Sequence, residues 1–161
     1  IDMIRPKLIS YWLERGIEVE QNGDPTAALQ FYEKILRIDP LSFVAHFDMG
    51  NALFALGKFQ ESYQAFDQAH VLRPNAADAI INREVVRLKI AGYPWPLGQE
   101  GINFLINDIK STDRTTQIGA ILLLMGECEK GNQTACDAVE NATQQDSTLI
   151  DDINKLEITN R

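Results

Sequence analysis

The chain has 161 residues and a formal net charge of −8, and a chain of this length predicts a single domain. The acidic balance argues against nucleic acid or an anionic membrane surface as the ligand, because both are bound through a basic face. No apolar run approaches the roughly 18 residues of a membrane-spanning helix, which excludes direct membrane insertion. A basic or apolar protein partner suits this charge; a charge that only keeps the chain soluble is the equal alternative.

Residues 9–42 and 43–76 predict two helical hairpins built on one pattern. Their terminal prolines, Pro40 and Pro74, lie 34 residues apart, and a fixed period of this length indicates a repeat architecture. In each copy a glycine-containing turn separates two helices, and small and aromatic residues recur at matching positions. The matching residues are Trp12, Gly16, Gly23, Ala28 and Tyr32 in the first copy and His46, Gly50, Gly57, Ser62 and Phe66 in the second.

Residues 77–110 predict a third, degenerate repeat. Its first helix covers residues 77–91, where apolar side chains recur at helical spacing. The stretch from Tyr93 to Leu97 contains two prolines and lies between two glycines, so it cannot form a regular helix interior. A helix resumes near Gln99 and continues to about Lys110, which leaves an irregular loop in place of the short turn.

Residues 111–161 predict a C-terminal extension of further helices. One helix is expected over about residues 114–129, and a capping pattern at Thr134–Asp137 begins another. A short last helix is expected over about residues 149–156. No stretch alternates with a period of two for long enough to indicate a strand, so the predicted fold class is all-α.

The spacing of aromatic, small, glycine and proline residues over 9–76 resembles the tetratricopeptide repeat (TPR) signature. The resemblance implies a right-handed solenoid of helical hairpins, here followed by the C-terminal helices, and a role in protein–protein interaction. It places small Gly16 and Gly50 where paired helices approach closely. It also implies that first-helix side chains line a concave groove and bind the partner. These residues are Leu13, Ile17, Phe47, Asn51, Phe54, Ile81, Asn82 and Val85.

The chemistry of this predicted groove is mainly apolar. Asn51 and Asn82 match the two asparagine positions of the TPR clamp that binds C-terminal carboxylates, but Phe47 stands at a lysine position. Thr112 and Thr116 stand where lysine and arginine belong, so carboxylate recognition of that type is doubtful. An amphipathic helix or an extended peptide with apolar anchors fits better, and the amides can still hold its backbone.

Three alternatives stay open at this point. The protein could fill its own groove, either with the segment before Ser10 or with the helix that contains Ile121–Met125. The chain could also be a structural segment of a larger scaffold or a homo-oligomer, because solenoids need polar ends and the N-terminal end is apolar. Finally, the Tyr93–Leu97 loop could contact a partner through Trp95, or Trp95 could fold back over the irregular turn.

Cys128 and Cys136 lie on either side of a predicted turn between two helices. This placement could bring their Cα atoms within the distance that a disulfide needs. The segment also resembles the cysteine corner of Sel1-like repeats, where a pair with this spacing joins adjacent helices. Two reduced, buried cysteines are the alternative. A disulfide would favour an oxidising, extracytoplasmic compartment such as a bacterial periplasm over the cytoplasm.

The sequence contains no pattern that indicates catalysis or a cofactor. The glycines are spaced as turns rather than as a phosphate-binding loop, and no histidine belongs to a nucleophile motif. The two cysteines lack companion metal ligands, because His46 and His70 belong to the repeat pattern. We therefore expect a non-catalytic adaptor or assembly scaffold that uses no cofactor and no metal.

Overall fold

The computed structural model describes residues 3–158, which are almost entirely helical, and the all-α prediction is confirmed. The chain divides after Pro74 into two compact units, called here unit 1 and unit 2. The prediction of one domain concerns both units together and stays a prediction. Unit 1 contains α1 (Arg5–Gln21), α2 (Pro25–Ile38), α3 (Phe43–Ala55) and α4 (Phe59–Leu72). Unit 2 contains α5 (Ala77–Ile90), α6 (Gln99–Asp108), α7 (Arg114–Glu129), α8 (Gln133–Gln145) and α9 (Thr148–Asn154).

Short-range signals set the helix limits of unit 1. The Asp24 carboxylate accepts a hydrogen bond from the amide of Ala27 at 2.9 Å, and Pro25 occupies the first turn of α2. Ser42 caps α3 in the same way, through the amide of Ala45 at 3.2 Å. The turn between α1 and α2 requires a positive φ of 85° at Gly23, a conformation that glycine adopts without strain. These local signals set the starts of α2 and α3, whereas α1 begins at Arg5, before the predicted repeat start at residue 9.

Close helix packing in unit 1 depends on two glycines. A Cβ atom built on Gly16 would lie 2.6 Å from the Tyr32 ring, and one on Gly50 would lie 2.7 Å from the Phe66 ring. Both rings are buried. The Tyr32 hydroxyl donates to Glu20 at 2.6 Å, so the polar end of the ring is satisfied as well. Each hairpin is thus held by an aromatic ring against the glycine of its own first helix.

Unit 2 departs from this arrangement because α7 is its central helix. Helices α5, α6 and α8 all pack mainly on α7, and α5 makes few contacts with α6, its neighbour in sequence. Gly119 allows the close approach of α7 to α5: a Cβ atom there would lie 3.0 Å from the Cβ of Glu84. The apolar core contains residues from all five helices; its buried members include Ile80, Leu88, Ile102, Leu105, Ile121, Leu124, Ala142 and Leu149.

The irregular loop between α5 and α6 is anchored at both of its ends. The Tyr93 ring lies 5.3 Å from the Phe104 ring, and the Leu97 side chain occupies the space beside Gly101. Trp95, between them, is 47% exposed, with the Lys130 ammonium 5.8 Å from the centre of its ring. Tyr93 and Leu97, rather than Trp95, therefore seal the loop against the core.

The C-terminal segment of unit 2 returns to the start of α5. The amide of Glu157 donates to the carbonyl of Asn75 at 2.7 Å, and the Glu157 carbonyl accepts from the amide of Ala77 at 3.0 Å. Arg114 supports this return, because its guanidinium bonds Asp146 and Asp152, both at 2.8 Å. The segment supplies an acceptor to the first turn of α5, which has no side-chain cap.

The structure contains the disulfide between Cys128 and Cys136, one of the two alternatives that the sequence left open. Cys128 lies in the last turn of α7 and Cys136 in the first turn of α8, with their Cα atoms 4.8 Å apart. Gly131, between them, has a φ of 96° and forms the turn. The bond therefore fixes the corner between α7 and α8.

Reducing this disulfide is expected to lower the free energy of unfolding of unit 2 by about 2–3 kcal/mol, because the unfolded chain regains the freedom of a short loop. The measurement is urea unfolding with and without a thiol reductant, followed through Trp95 fluorescence in a Trp12→Phe background. The double variant Cys128→Ala/Cys136→Ala serves as the control and should not respond to the reductant. If the urea midpoint of the parent is the same with and without the reductant, the prediction is contradicted.

Candidate partner-binding surfaces

The predicted partner-binding residues of unit 1 lie on α1 and α3, the first helices of the two hairpins. Leu13 and Ile17 are one helical turn apart on α1 and are half-buried. Asn51 and Phe54 are half-buried on α3, where the Phe54 ring lies 5.3 Å from the ring of Phe59. These four residues are called here the unit 1 surface. They are three apolar side chains and one amide, and all four are partly accessible.

Phe47 differs from the other predicted site residues because it is only 5% exposed. Its ring stacks on Phe43 with the centroids 5.7 Å apart, and it meets the Phe66 ring edge-on at 5.5 Å. The side chain thus packs in the core of the second hairpin, which leaves little of it for a partner. The sequence pattern did not predict this burial, since first-helix spacing alone places Phe47 on the same face as Asn51.

The remaining predicted site residues belong to unit 2. Ile81, Asn82 and Val85 lie on α5 and are half-buried; they are called here the unit 2 surface. The adjacent face of α5, with Ile80 and Glu84, packs on α7 at Gly119. Helix α7 contains Ile121–Met125, the apolar stretch that was one candidate for filling the groove. Ile121 and Leu124 of this stretch are fully buried in the core of unit 2.

The segment before Ser10 was the other candidate for filling the groove. Met3 is 89% exposed and Ile4 is 59% exposed, so neither side chain is buried in a groove of unit 1. Ile1, which belongs to the same expectation, lies outside the described residues.

A buried acidic pair behind the unit 2 surface was missed by the sequence analysis. Glu84 is 1% exposed, and Asp108 of α6 is also buried. Arg87 donates two hydrogen bonds to Asp108, at 3.1 and 3.2 Å, and its Nε atom lies 3.4 Å from a carboxyl oxygen of Glu84. Burial, reinforced by the neighbouring carboxyl of Asp108, raises the pKa of Glu84 from 4.5 to about 9. Glu84 is therefore neutral at pH 7.

A second set of polar contacts links α5 to the start of α7. Arg83 donates to Asp113 at 3.0 Å and to the Thr116 hydroxyl at 3.3 Å, and Thr116 in turn donates to Asp113 at 2.7 Å. Burial disfavours ionisation of Asp113, but the hydrogen bonds from Thr116 and Arg83 outweigh it and lower its pKa. The arrangement orients α5, and with it the unit 2 surface, rather than presenting groups for chemistry.

Residues 3–158 offer neither a metal-binding cluster nor a membrane-spanning helix. In that range no group of three or more His, Cys, Asp or Glu side chains is arranged to hold a metal ion. None of the helices in the same range is both long and apolar enough to cross a membrane.

The family-model match runs from the end of α1 to the start of α5. A tetratricopeptide repeat family model matches residues 20–81. An uncharacterized protein of Methanocaldococcus jannaschii is 32% identical over 60 residues, which are 37% of this chain and 70% of that protein.

Structural comparisons extend over most of the chain. The TPR2B domain of yeast Sti1, solved in its pHsp70 complex, superposes with a TM-score of 0.54 and 16% identity, covering 86% of this chain and 98% of that one. MamA gives a TM-score of 0.55 with 19% identity and coverages of 89% and 81%. YrrB, described as a TPR protein with an unusual peptide-binding site, gives 0.51 with 18% identity and coverages of 89% and 72%. At these identities the likeness concerns the fold.

Proposed function

Because the chain belongs to the tetratricopeptide repeat family, whose fold is typical of protein–protein interaction scaffolds, we propose that it is a non-catalytic adaptor. In this proposal it binds an apolar peptide or amphipathic helix of another protein. The unit 1 surface is the main contact in this proposal. The unit 2 surface has the same combination of apolar side chains and one amide. The peptide-binding site attributed to YrrB and the pHsp70 complex of Sti1 are precedents for this use of the fold.

The observation that supports the proposal most directly is the half-exposed state of apolar side chains on first helices. Leu13, Ile17 and Phe54 are neither fully buried, as core residues of this size are, nor isolated on a polar face. Burying the rest of such side chains stabilises a complex by about 25 cal/mol for each Å² of apolar area removed from water. Asn51 adds an amide, which can both donate to and accept from a peptide backbone.

The charge of the chain defines the second property of the partner. Unit 1 contributes to the net charge of −8, and Glu14 is exposed on α1 next to Leu13. A partner segment with basic residues beside its apolar anchors would approach this surface faster, and the difference would shrink as salt screens the charges. We therefore expect an apolar, basic segment.

The test is selection of peptides from a displayed random library on the folded chain, followed by fluorescence anisotropy with a selected peptide. Ile17→Asp and Phe54→Asp are each expected to weaken binding at least about tenfold, since a carboxylate cannot be buried against an apolar anchor. Selected peptides should be enriched in apolar and basic residues. Affinity should also fall as the salt concentration rises.

Val71→Asp is the matched control, because Val71 is an apolar residue 62% exposed on α4, a second helix. This variant should bind within about twofold of the parent, as expected for a surface change outside the contact. Circular dichroism melting confirms that all three variants fold. Equal binding by the parent and both surface variants would overturn the unit 1 surface as the site.

A further inference from the structure

The N-terminal end of unit 1 contains an open apolar cavity of about 370 Å³ between the start of α1 and the end of α2. Its apolar wall consists of Ile4, which precedes α1, Leu8 of α1 and Ile38 of α2. Ile4 is 59% exposed and Leu8 is 37% exposed, so both side chains have apolar surface left to bury. We call this feature the N-terminal pocket. The terminal repeats of helical-repeat proteins usually have a polar outer face, whereas this pocket is mainly apolar.

The charged residues that line the N-terminal pocket are both arginines. Arg5 of α1 and Arg37 of α2 complete its lining, one from each wall, whereas the whole chain carries −8. A guanidinium pairs well with a carboxylate because its donors match the two carboxylate oxygens. The pocket therefore fits a surface that presents aliphatic side chains next to Asp or Glu.

The same chain presents such a surface at the other end of its sequence. Ile150 and Asp151 are exposed on α9, and Glu157 and Ile158 are exposed just after it. Ile150 is 46% exposed, so it is available for burial. Arg114 pairs with Asp146 and Asp152 of the same region, and Asp151 lies exposed beside them. We call these four exposed residues the C-terminal patch.

We propose that the N-terminal pocket of one copy binds the C-terminal patch of a second copy. Ile150 and Ile158 enter the apolar wall, and Asp151 and Glu157 meet the two arginines. The contact pairs two different surfaces, so a variant that lacks one of them keeps the other. This inference is independent of the partner-binding proposal, because it uses neither the unit 1 surface nor the unit 2 surface.

The physical character of the contact sets its strength. Each side offers only a few apolar residues, which is typical of weak interfaces rather than permanent ones. Association is therefore expected at concentrations from roughly micromolar upward, where the free energy of binding is about −8 kcal/mol or smaller in magnitude. Because the charged groups lie at the rim of the pocket, added salt should weaken the association.

Sedimentation velocity over a concentration series of the full chain tests the proposal. The parent should associate, with concentration, into species larger than a monomer. Leu8→Glu blocks the pocket and Ile150→Lys blocks the patch, so each variant alone should be monomeric. Val71→Glu, an exposed apolar residue outside both surfaces, should associate like the parent. Circular dichroism melting shows that each variant is folded.

Mixing the two blocked variants separates this geometry from other modes of association. The Ile150→Lys chain keeps an intact pocket and the Leu8→Glu chain keeps an intact patch, so an equimolar mixture should form dimers and nothing larger. A parent that stays monomeric at the highest concentration would overturn the proposal. Association that persists in either variant, or a mixture that stays monomeric, would also overturn it.

Discussion

Phe66→Ala is expected to lower the free energy of unfolding of unit 1 by about 3–5 kcal/mol, the range for deleting a large buried aromatic side chain. Phe66 is 2% exposed, lies against Gly50 of the same hairpin, and meets the Phe47 ring edge-on. Its loss leaves a cavity between α3 and α4 that the rigid hairpin cannot close. Urea unfolding followed through Trp12 fluorescence in a Trp95→Phe background reports on unit 1.

Gly50→Ala measures the same contact from the opposite side. The new Cβ would lie 2.7 Å from the Phe66 ring, so the substitution should cost about 1–3 kcal/mol through overpacking. In the double variant Gly50→Ala/Phe66→Ala, the new methyl group enters space that the Phe66 ring has vacated. The loss of unfolding free energy in the double variant should therefore be smaller than the sum of the losses in the two single variants. Strict additivity would show that the glycine and the ring are not in contact.

The same substitution at Gly126 provides a matched control. Gly126 lies inside α7, and a Cβ atom there would meet no atom within 4 Å. Gly126→Ala is therefore expected to stabilise the chain by about 0.5–1 kcal/mol, because alanine loses less conformational freedom in a helix than glycine does. The opposite signs at positions 50 and 126 would separate helix propensity from packing.

Glu84→Gln is expected to change how the stability of unit 2 depends on pH. The folded protein holds a proton on Glu84 up to a pKa of about 9, whereas the unfolded chain releases it near 4.5. Between these values the folded state binds more protons than the unfolded state, so a rise in pH favours unfolding. The stability associated with this proton is fully present below pH 4.5 and is lost as pH rises toward and through 9.

Glutamine has nearly the same shape and carries no charge, so the variant lacks this pH dependence. The difference in unfolding free energy between variant and parent should move in favour of the variant as pH rises, by up to about 1.4 kcal/mol per pH unit. Taking the difference between the two proteins cancels the contributions of all groups that titrate equally in both. Working above about pH 5 also keeps Asp113, Asp146 and Asp152 ionised, since their pKa values are lowered.

Two outcomes distinguish the possible states of Glu84. A slope of the expected sign shows that Glu84 is held neutral by burial and by Asp108. A difference that does not vary with pH would show that Arg87 and Arg83 keep Glu84 ionised, and would contradict the prediction. Urea unfolding through Trp95 fluorescence at several pH values, in a Trp12→Phe background, supplies the measurement.

Phe47 shows where sequence reasoning about the candidate site reached its limit. The repeat pattern assigns a helix and a register, and this placed Leu13, Ile17, Asn51 and Phe54 on accessible faces of first helices. The same register put Phe47 among them, but contacts with Phe43 and Phe66 bury it. Burial depends on the size of neighbouring side chains, and a periodic pattern does not contain that information.

The sequence by itself determined the helical hairpins of unit 1, because the contacts that hold them join residues close together in the chain. Tyr32 bonds Glu20 and Ser62 bonds Gly50, each across 12 positions, so one repeat contains both partners of each contact. The signals for turns and caps, at Gly23, Asp24 and Ser42, are equally local.

Only the tertiary structure decided the arrangement of unit 2. An irregular loop separates α5 from α6, and α5 packs on α7 instead, through pairs such as Arg83 with Asp113, 30 positions apart. Arg114 and Asp152, which hold α9, are 38 positions apart. The neutral state of Glu84 is a product of the same packing, because a carboxyl on an isolated helix would be hydrated and ionised. No local pattern indicates which distant helix will cover a given face.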